Sequence, residues 1–450
     1  MSAAQPAPSV APSDSDVVLD TPSIPEALPE SHASEDPRPA RIVDVLGCLH
    51  NIWSVEFKEQ RPLVQTPEVL SADTLAERQA LLVKIQTDLM PSLEQHVTNL
   101  LSSVGLHASV THPEANLDET LELVHKLGPL LDELERSIRG LAPWILPLLP
   151  GHKPSQSSQS DGNYGAVKKH RCDRLYLQFQ QLTMADISAV LQAYAVYLAD
   201  GLHFPDAQDA EDKRNKIVES TAECCREIDH WLKFSTWSDY DFLHMPWVGD
   251  VMRLDSYVGL AREEMKEIGH HGYPDGSIEY RLTGLFRRAI TIAEIIRSAF
   301  QALLGTSQSP SIITFPDNLN SNELDWLQWH SRGMVDYLGI LIQGLSGLAY
   351  QRRIRMHYAP NWPQLNANKG FVEIGAAKVD NRLHAFLTLI SFHHIPSAAA
   401  SNYPPSTNLF SSMFLQMRGE FRAAIKKFRH RYQALDYDSF SGGTIVLQLV

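Results

Sequence analysis

One stretch, residues 277–305, constrains the fold of this chain more than any other part of its 450 residues. Its apolar side chains recur every three or four residues and cover most of the circumference of a helix. A helix that is apolar nearly all round is usually buried among other helices. Ser277 suits the N-cap position, and Gly305 suits the position that ends a helix. The stretch therefore predicts a buried helix, roughly 40 Å long, at the centre of a bundle.

The same spacing predicts further amphipathic helices along the chain. They cover residues 41–57, 73–101, 175–198, 212–234, 248–268, 322–353, 376–392 and 410–435, with one more that starts at Asn116 or Asp118 and ends in the sequence LAPWILPLLPG. Pro91 should kink or divide the second of them, and residues 175–198 form one helix or two. Strand-like character is confined to the final residues, SGGTIVLQLV. The predicted fold class is therefore all-α, an up-and-down bundle of long amphipathic helices.

Amino-acid composition distinguishes the predicted bundle from the segments before, within and after it. Residues 1–39 are rich in Pro, Ser, Ala, Asp and Glu, which predicts a disordered tail. Residues 40–350 form the predicted bundle, interrupted by a polar, flexible linker at 151–165. Residues 351–450 contain many prolines and are expected to form a less regular region with one terminal helix.

The charge and cysteine content exclude several classes of protein. A formal net charge of −14 argues against non-specific binding to nucleic acid or to acidic membranes. Four cysteines without a CxxC pair favour reduced thiols over a disulfide framework or a zinc finger. The N-terminus lacks the pattern of a secretory signal, and the most apolar long stretch, residues 335–350, is too short to span a bilayer. A cytoplasmic or nuclear protein is expected.

Glu-x-x-His sequences place two metal-ligand side chains on one helix face, as in di-metal carboxylate bundles. The chain has three of them: Glu122/His125, Glu227/His230 and Glu267/His270. The second and third glutamates fall opposite apolar helix positions, so a solvated face is favoured and no metal site is predicted.

Two basic clusters and two tryptophans also stand out. The sequence KKHR at residues 168–171 suits a solvated face or a weak nuclear-import signal. Arg352, Arg353 and Arg355 lie near the end of a helix, where cations suit its dipole, and a solvated charged face is favoured for them too. Trp326 and Trp329 flank an apolar helix start. They suit either core packing or an exposed anchor for a partner.

From about residue 41 to 350, the helices resemble the cyclin-D-interacting (GCIP-like) helical-bundle proteins and similar uncharacterised fungal helical proteins. The sequences LLVKIQTDLMPSLEQHVTNLLSSVG, ESTAECCREIDHWLKF and LFRRAITIAEIIRSAFQALLG carry this resemblance. It implies an all-α, adaptor-like bundle without a catalytic site.

The C-terminal sequence FRHRYQAL followed by SGGT resembles the end of the haem-dependent indole dioxygenases. That resemblance implies His430 as the iron ligand, with Gly442, Gly443 and Thr444 beside the haem propionates. The position of His430 around its helix, away from the main apolar stripe, predicts instead that it faces water.

Two hypotheses follow for the function. The first is an intracellular interaction or scaffold protein without cofactor or turnover, which binds other proteins through helix faces and binds neither nucleic acid nor membranes. The alternative is a haem-dependent or di-metal oxygenase. The partner and the oligomeric state stay open.

Overall fold

The structure, a computed structural model, describes residues 37–54, 70–106, 115–142, 161–199, 207–269, 274–305, 313–314, 319–354, 361–393, 395–396 and 407–435. The predicted disordered tail lies outside these residues up to position 36, as do residues 151–160 of the predicted linker. Residues 161–165 are described, and Gly162–Val167 forms a 3-10 turn.

Helices account for nearly all of the described residues. They are α1 (Arg38–Ser54), α2 (Ala72–Lys84), α3 (Met90–Ser103), α4 (Leu117–Leu141), α5 (Lys169–Gln181), α6 (Ser188–Ala199), α7 (Ala207–Ser235), α8 (Asp239–Gly269), α9 (Ile278–Leu304), α10 (Ser321–Ile354), α11 (Trp362–His393) and α12 (Thr407–Gln433). Extended structure in the described part is limited to an antiparallel pair, β1 (Ile313–Thr314) with β2 (Ile395–Pro396). The predicted all-α fold class is confirmed.

Two π-helical turns lie where the sequence pattern predicted a kink or division at Pro91 and left residues 175–198 as one helix or two. Ile85–Leu89 joins α2 to α3, and Leu182–Ile187 joins α5 to α6. Pro91 follows the first turn directly. Because proline has no amide hydrogen and its ring crowds the preceding turn, a wider turn immediately before it relieves the clash. The predicted disturbance at Pro91 is confirmed.

Buried apolar side chains form two clusters, one within residues 42–242 and one within residues 243–435. In the first, α1, α2–α3, α4, α5–α6 and α7 pack around a common core. In the second, α8 to α12 do the same, and α9 contacts α8, α10 and α12. The described residues therefore form two successive bundles, each with its own core.

Helix α9 is the predicted central helix and belongs to the second core. The Ser277 hydroxyl caps it by accepting from the Tyr280 amide at 3.1 Å. Gly305 ends it with φ at 68°, a left-handed conformation that favours glycine. Ile296, in the middle of the helix, is fully buried.

Helices α10 and α11 approach closely through glycines. A Cβ on Gly344 would lie 3.0 Å from the Val372 amide nitrogen, and one on Gly375 would lie 2.7 Å from the Leu341 Cβ. The sequence pattern placed the start of α11 at residue 376, whereas the helix begins at Trp362. Polar residues and glycines at 366–375 hide the apolar periodicity because close backbone packing there needs no large side chain.

One helical stretch among the described residues, Gly162–Ala199, has the length and apolar character needed to cross a membrane. Within its most apolar window 56% of the residues are buried inside the protein, as in a core helix.

Candidate functional site

Helix α12 has one apolar face and one basic face. The apolar face is buried against the second core and consists of Phe414, Phe421, Ile425, Phe428 and Tyr432. The exposed side chains on the opposite side are Arg422, Lys426, Lys427, His430 and Arg431, which we call the α12 basic face. The main apolar stripe, from which His430 was predicted to point away, is the buried face of this helix.

The α12 basic face carries more positive charge than its surroundings neutralise. Residues 414–435 hold six Lys and Arg side chains but a single acid, Glu420, in a chain where acids outnumber cations 53 to 39. Within the described residues, the one ion pair on this helix joins Arg429 to Asp380 of α11 at 3.4 Å. The exposed cations are therefore free to meet an anion.

Helix α9 adds arginines along one edge of this face. The Arg281 guanidinium donates to the Ala434 carbonyl at 3.1 Å. One turn further along α9, the Arg431 guanidinium lies so close to Gly284 that a Cβ there would be 2.7 Å from Nη1. The two helices run antiparallel along this edge, because Arg281 meets Ala434 and Gly284 meets Arg431.

Arg288 occupies the next turn of α9 along the same edge. Burial lowers the pKa of its guanidinium, and the positive charge of Arg431 lowers it further. Its Nε is shielded from solvent and has no hydrogen-bond partner. We call Arg281, Arg288 and Arg431, with Gly284 between them, the α9–α12 arginine seam.

Helix α11 borders the opposite edge of the α12 basic face. The Arg418 guanidinium lies 3.1 Å from His384 Nε2. Burial lowers the pKa of His384, and Arg418 and Arg422 lower it further, against the opposing effect of Asp380. A neutral imidazole accepts from a guanidinium, so His384 orients Arg418 without adding charge.

His430, the iron ligand implied by the resemblance to the indole dioxygenases, is exposed on the α12 basic face. Gly442, Gly443 and Thr444 lie outside the described residues. An exposed imidazole on the outer side of a packed helix does not line an enclosed pocket, so the described geometry gives haem binding no support. Haem binding stays a prediction.

The KKHR sequence is not a solvated face. Lys168 and His170 are 1% and 2% exposed. The Lys168 Nζ pairs with Asp239 Oδ2 at 2.5 Å, and the His170 Nδ1 lies 2.6 Å from Asp325 Oδ1. The expectation of a solvated cluster was wrong because acids brought in from two other helices neutralise it.

These acids lie where helices begin. Asp239 is the first residue of α8, and Asp325 lies in the first turns of α10. Asp161 accepts from the Ser321 amide at 2.7 Å and from the Lys169 amide at 3.0 Å, which are the starts of α10 and α5. Helix N-termini present unpaired amides and a positive dipole end, so carboxylates suit them. The network ties α5 of the first bundle to α8 and α10 of the second. The sequence analysis did not predict it, because its acids lie far along the chain from the residues that they contact.

The neighbours of two of these acids shift their pKa values in opposite directions. Burial would raise the pKa of Asp325, but His170, Lys169 and Arg174 outweigh it and keep that pKa low. Burial raises the pKa of Asp173 despite its ion pair with Lys169 at 2.6 Å. Every one of these contacts is internal, so the network is a structural junction.

The cations at the end of α10 also make specific ion pairs. The Arg352 Nε donates to Glu279 Oε1 at 2.6 Å, and Arg353 Nη2 donates to Glu264 Oε2 at 3.0 Å. A solvated face was the wrong expectation for these two arginines, because they join α10 to α9 and α8. Arg355 lies outside the described residues.

Trp326 and Trp329 are half-buried on α10. The Arg382 guanidinium of α11 lies 3.1 Å from the centre of the Trp329 ring, as in a cation–π contact. His330 packs against both indoles, and burial together with Arg382 lowers its pKa to about 4. Trp329 therefore packs between α10 and α11, while Trp326 packs on Trp329 and His330 of its own helix.

The glutamates of the Glu-x-x-His sequences and the described histidines, His125 and His230, do not converge; His270 lies outside the described residues. Glu122 pairs with Lys126 at 2.5 Å on the surface of α4, and Glu267 pairs with Arg353. Within the described ranges, no group of three His, Cys, Asp or Glu side chains has the arrangement of a metal site.

Two family models match the chain. One, described as a domain of unknown function (DUF8723), covers residues 78–236, and the other, a domain of unknown function (DUF8721), covers residues 252–430. Each match falls on one of the two bundles. The family models and the structure therefore both divide the chain near residue 240. A search of curated proteins finds no match. Neither description refers to the GCIP-like proteins, so that resemblance stays a prediction.

Proposed function

We propose that this protein is a helical-bundle interaction module, without turnover of its own, that binds an acidic segment of another protein on the α12 basic face. The observation that carries the proposal is the set of exposed cations on α12 that no described carboxylate neutralises. Like charges held on one helix face repel one another. An acidic partner relieves that repulsion and gains charge-assisted hydrogen bonds.

The size of the face suits a short segment. From Arg422 to Arg431 the helix runs about 14 Å, at about 1.5 Å per residue. Four or five residues of an extended chain span this length at about 3.3 Å each. A partner that presents several Asp or Glu side chains over such a stretch would match the cations one for one.

The overall charge favours a protein segment over nucleic acid. A net charge of −14 repels a long polyanion, whose charges extend beyond the face. A short peptide stays within roughly a Debye length, about 8 Å at physiological salt, of the cations it contacts. The local face therefore dominates its binding.

The test is a fluorescence-anisotropy titration of a short Asp- and Glu-rich peptide. We expect the wild-type protein to bind it, and binding to weaken as salt rises. A variant with Arg422→Glu, Lys426→Glu and Lys427→Glu should bind it at least about tenfold more weakly, because attraction becomes repulsion. Circular dichroism checks that the variant is folded, which the exposure of all three side chains predicts.

The matched control makes the same change of charge elsewhere, with Arg214→Glu, Lys216→Glu and Lys266→Glu, all exposed. It should bind the peptide nearly as the wild type does. Equal loss in both variants would show that net charge alone governs binding. Tighter binding of a DNA or RNA oligomer than of the peptide would overturn the choice of partner.

A further inference from the structure

We propose that the α9–α12 arginine seam holds a phosphate group carried by the bound segment, so that the partner is recognised in a phosphorylated form. This inference rests on the proposed function, because it assigns one edge of the same surface to one chemical group. The geometry that carries it is the Arg431 guanidinium lying against Gly284 of α9, one turn from the shielded and unpartnered Nε of Arg288.

The seam is built to bring the arginines together. Gly284 has no side chain, and this leaves room for the Arg431 guanidinium to lie against the backbone of α9. Arg281 is fixed by its bond to the Ala434 carbonyl at the end of α12. Extending the antiparallel register by one turn places Lys427 on the same edge, near Arg288.

Arg288 lacks an acceptor for one of its donors. Its Nε is shielded from solvent and has no hydrogen-bond partner. The positive charge of Arg431 also disfavours the positive charge of Arg288. A buried donor without an acceptor costs free energy, and so do two cations held together. One dianion with several acceptor oxygens satisfies both arginines at once.

Arginine suits this task better than lysine does. The planar guanidinium presents parallel N–H donors that match two phosphate oxygens, whereas an ammonium acts as a point charge. A phosphoserine carries about −1.5 to −2 charges at neutral pH and three acceptor oxygens. A carboxylate carries one charge, so the seam should prefer the phosphorylated residue.

The test uses two acidic peptides of the same sequence, one with serine and one with phosphoserine at the same position. Anisotropy titrations should show the wild-type protein binding the phosphopeptide about tenfold or more tightly. Arg288→Lys should lose most of that preference while keeping its charge. Gly284→Ala should lose part of it by displacing Arg431. Arg262→Gln, which removes an exposed arginine from α8, should keep the full preference.

The outcomes separate this inference from the proposed function. Equal binding of the two peptides by the wild type would overturn the phosphate seam and leave the acidic-segment proposal standing. Failure of both peptides to bind would overturn both. If vesicles with phosphorylated inositol lipids bind more tightly than the phosphopeptide, and Arg288→Lys weakens that binding, the phosphate belongs to a membrane and the phosphoprotein assignment is wrong.

Discussion

Lys168 and Asp239 form a buried ion pair across 71 positions of sequence, with Nζ 2.5 Å from Oδ2. Their side chains are 1% and 4% exposed. Lys168 precedes α5 of the first bundle, and Asp239 begins α8 of the second. The pair therefore couples the two bundles through a charge contact shielded from water.

Removal of one member of this pair should destabilise the protein strongly. Lys168→Met leaves Asp239 without its closest cation, and breaking a buried pair typically costs about 3–5 kcal/mol. The double variant Lys168→Met/Asp239→Leu should recover more than half of that loss. Urea unfolding measures both. Lys126→Met, which breaks an exposed pair with Glu122, should change stability by less than about 1 kcal/mol. A mild effect of Lys168→Met would show that the junction contributes little.

The close crossing of α10 and α11 predicts opposite effects for two glycines. In Gly344→Ala the new methyl group meets backbone atoms of Asn368 and Val372 at 3.0 Å, which should cost about 1–3 kcal/mol. Gly370→Ala on α11 meets nothing within 4 Å and should stabilise the helix by about 0.5–1 kcal/mol. Thermal unfolding of the two variants compares them directly. Equal effects would contradict the crossing.

The buried carboxyl group of Asp250 should make the stability of the folded protein depend on pH. Burial raises its pKa to about 6, although Arg253 opposes the shift. Between its ordinary pKa of 3.8 and 6, the folded protein keeps a proton that the unfolded chain releases, so stability falls as pH rises through this window.

Asp250→Asn removes this effect. The stability of the wild type minus that of the variant should fall by about 2–3 kcal/mol between pH 4 and pH 7, at about 1.4 kcal/mol per pKa unit. Denaturant unfolding at several pH values gives the difference. The same subtraction for Asp255→Asn, at an exposed carboxylate, serves as the control. A flat difference for Asp250 would contradict the raised pKa.

His430→Ala distinguishes the interaction hypothesis from the haem alternative. Because His430 is exposed, its removal should change stability by less than about 0.5 kcal/mol. A haem titration should give the same absorption spectrum for variant and wild type. If the wild type shows a Soret band that the variant loses, His430 is an axial ligand and the interaction hypothesis falls.

Apolar periodicity predicted most of the fold. Residues 277–305 specify a buried helix by pattern and by both caps, and the structure places α9 at 278–304. The stripe of α12 likewise predicted which side of the helix docks and that His430 faces water. Such patterns work because each helix buries one continuous face.

The remaining features depend on contacts between distant parts of the chain. The KKHR sequence looks solvent-exposed until Asp239 and Asp325 are brought beside it by folding. The arginine seam depends on the register between α9 and α12, which no local pattern encodes. The start of α11 was missed because glycines at a close helix crossing resemble the composition of a loop.

A reciprocal charge swap between protein and peptide tests the proposed interaction most directly. The Arg422→Glu/Lys426→Glu/Lys427→Glu variant and the wild type are each titrated with an acidic peptide and with its Lys-substituted counterpart. We predict that the wild type binds only the acidic peptide, that the variant binds the basic one, and that both complexes weaken with salt, since attraction across this face sets the affinity. If the variant still binds the acidic peptide as tightly as the wild type does, the α12 basic face is not the binding surface.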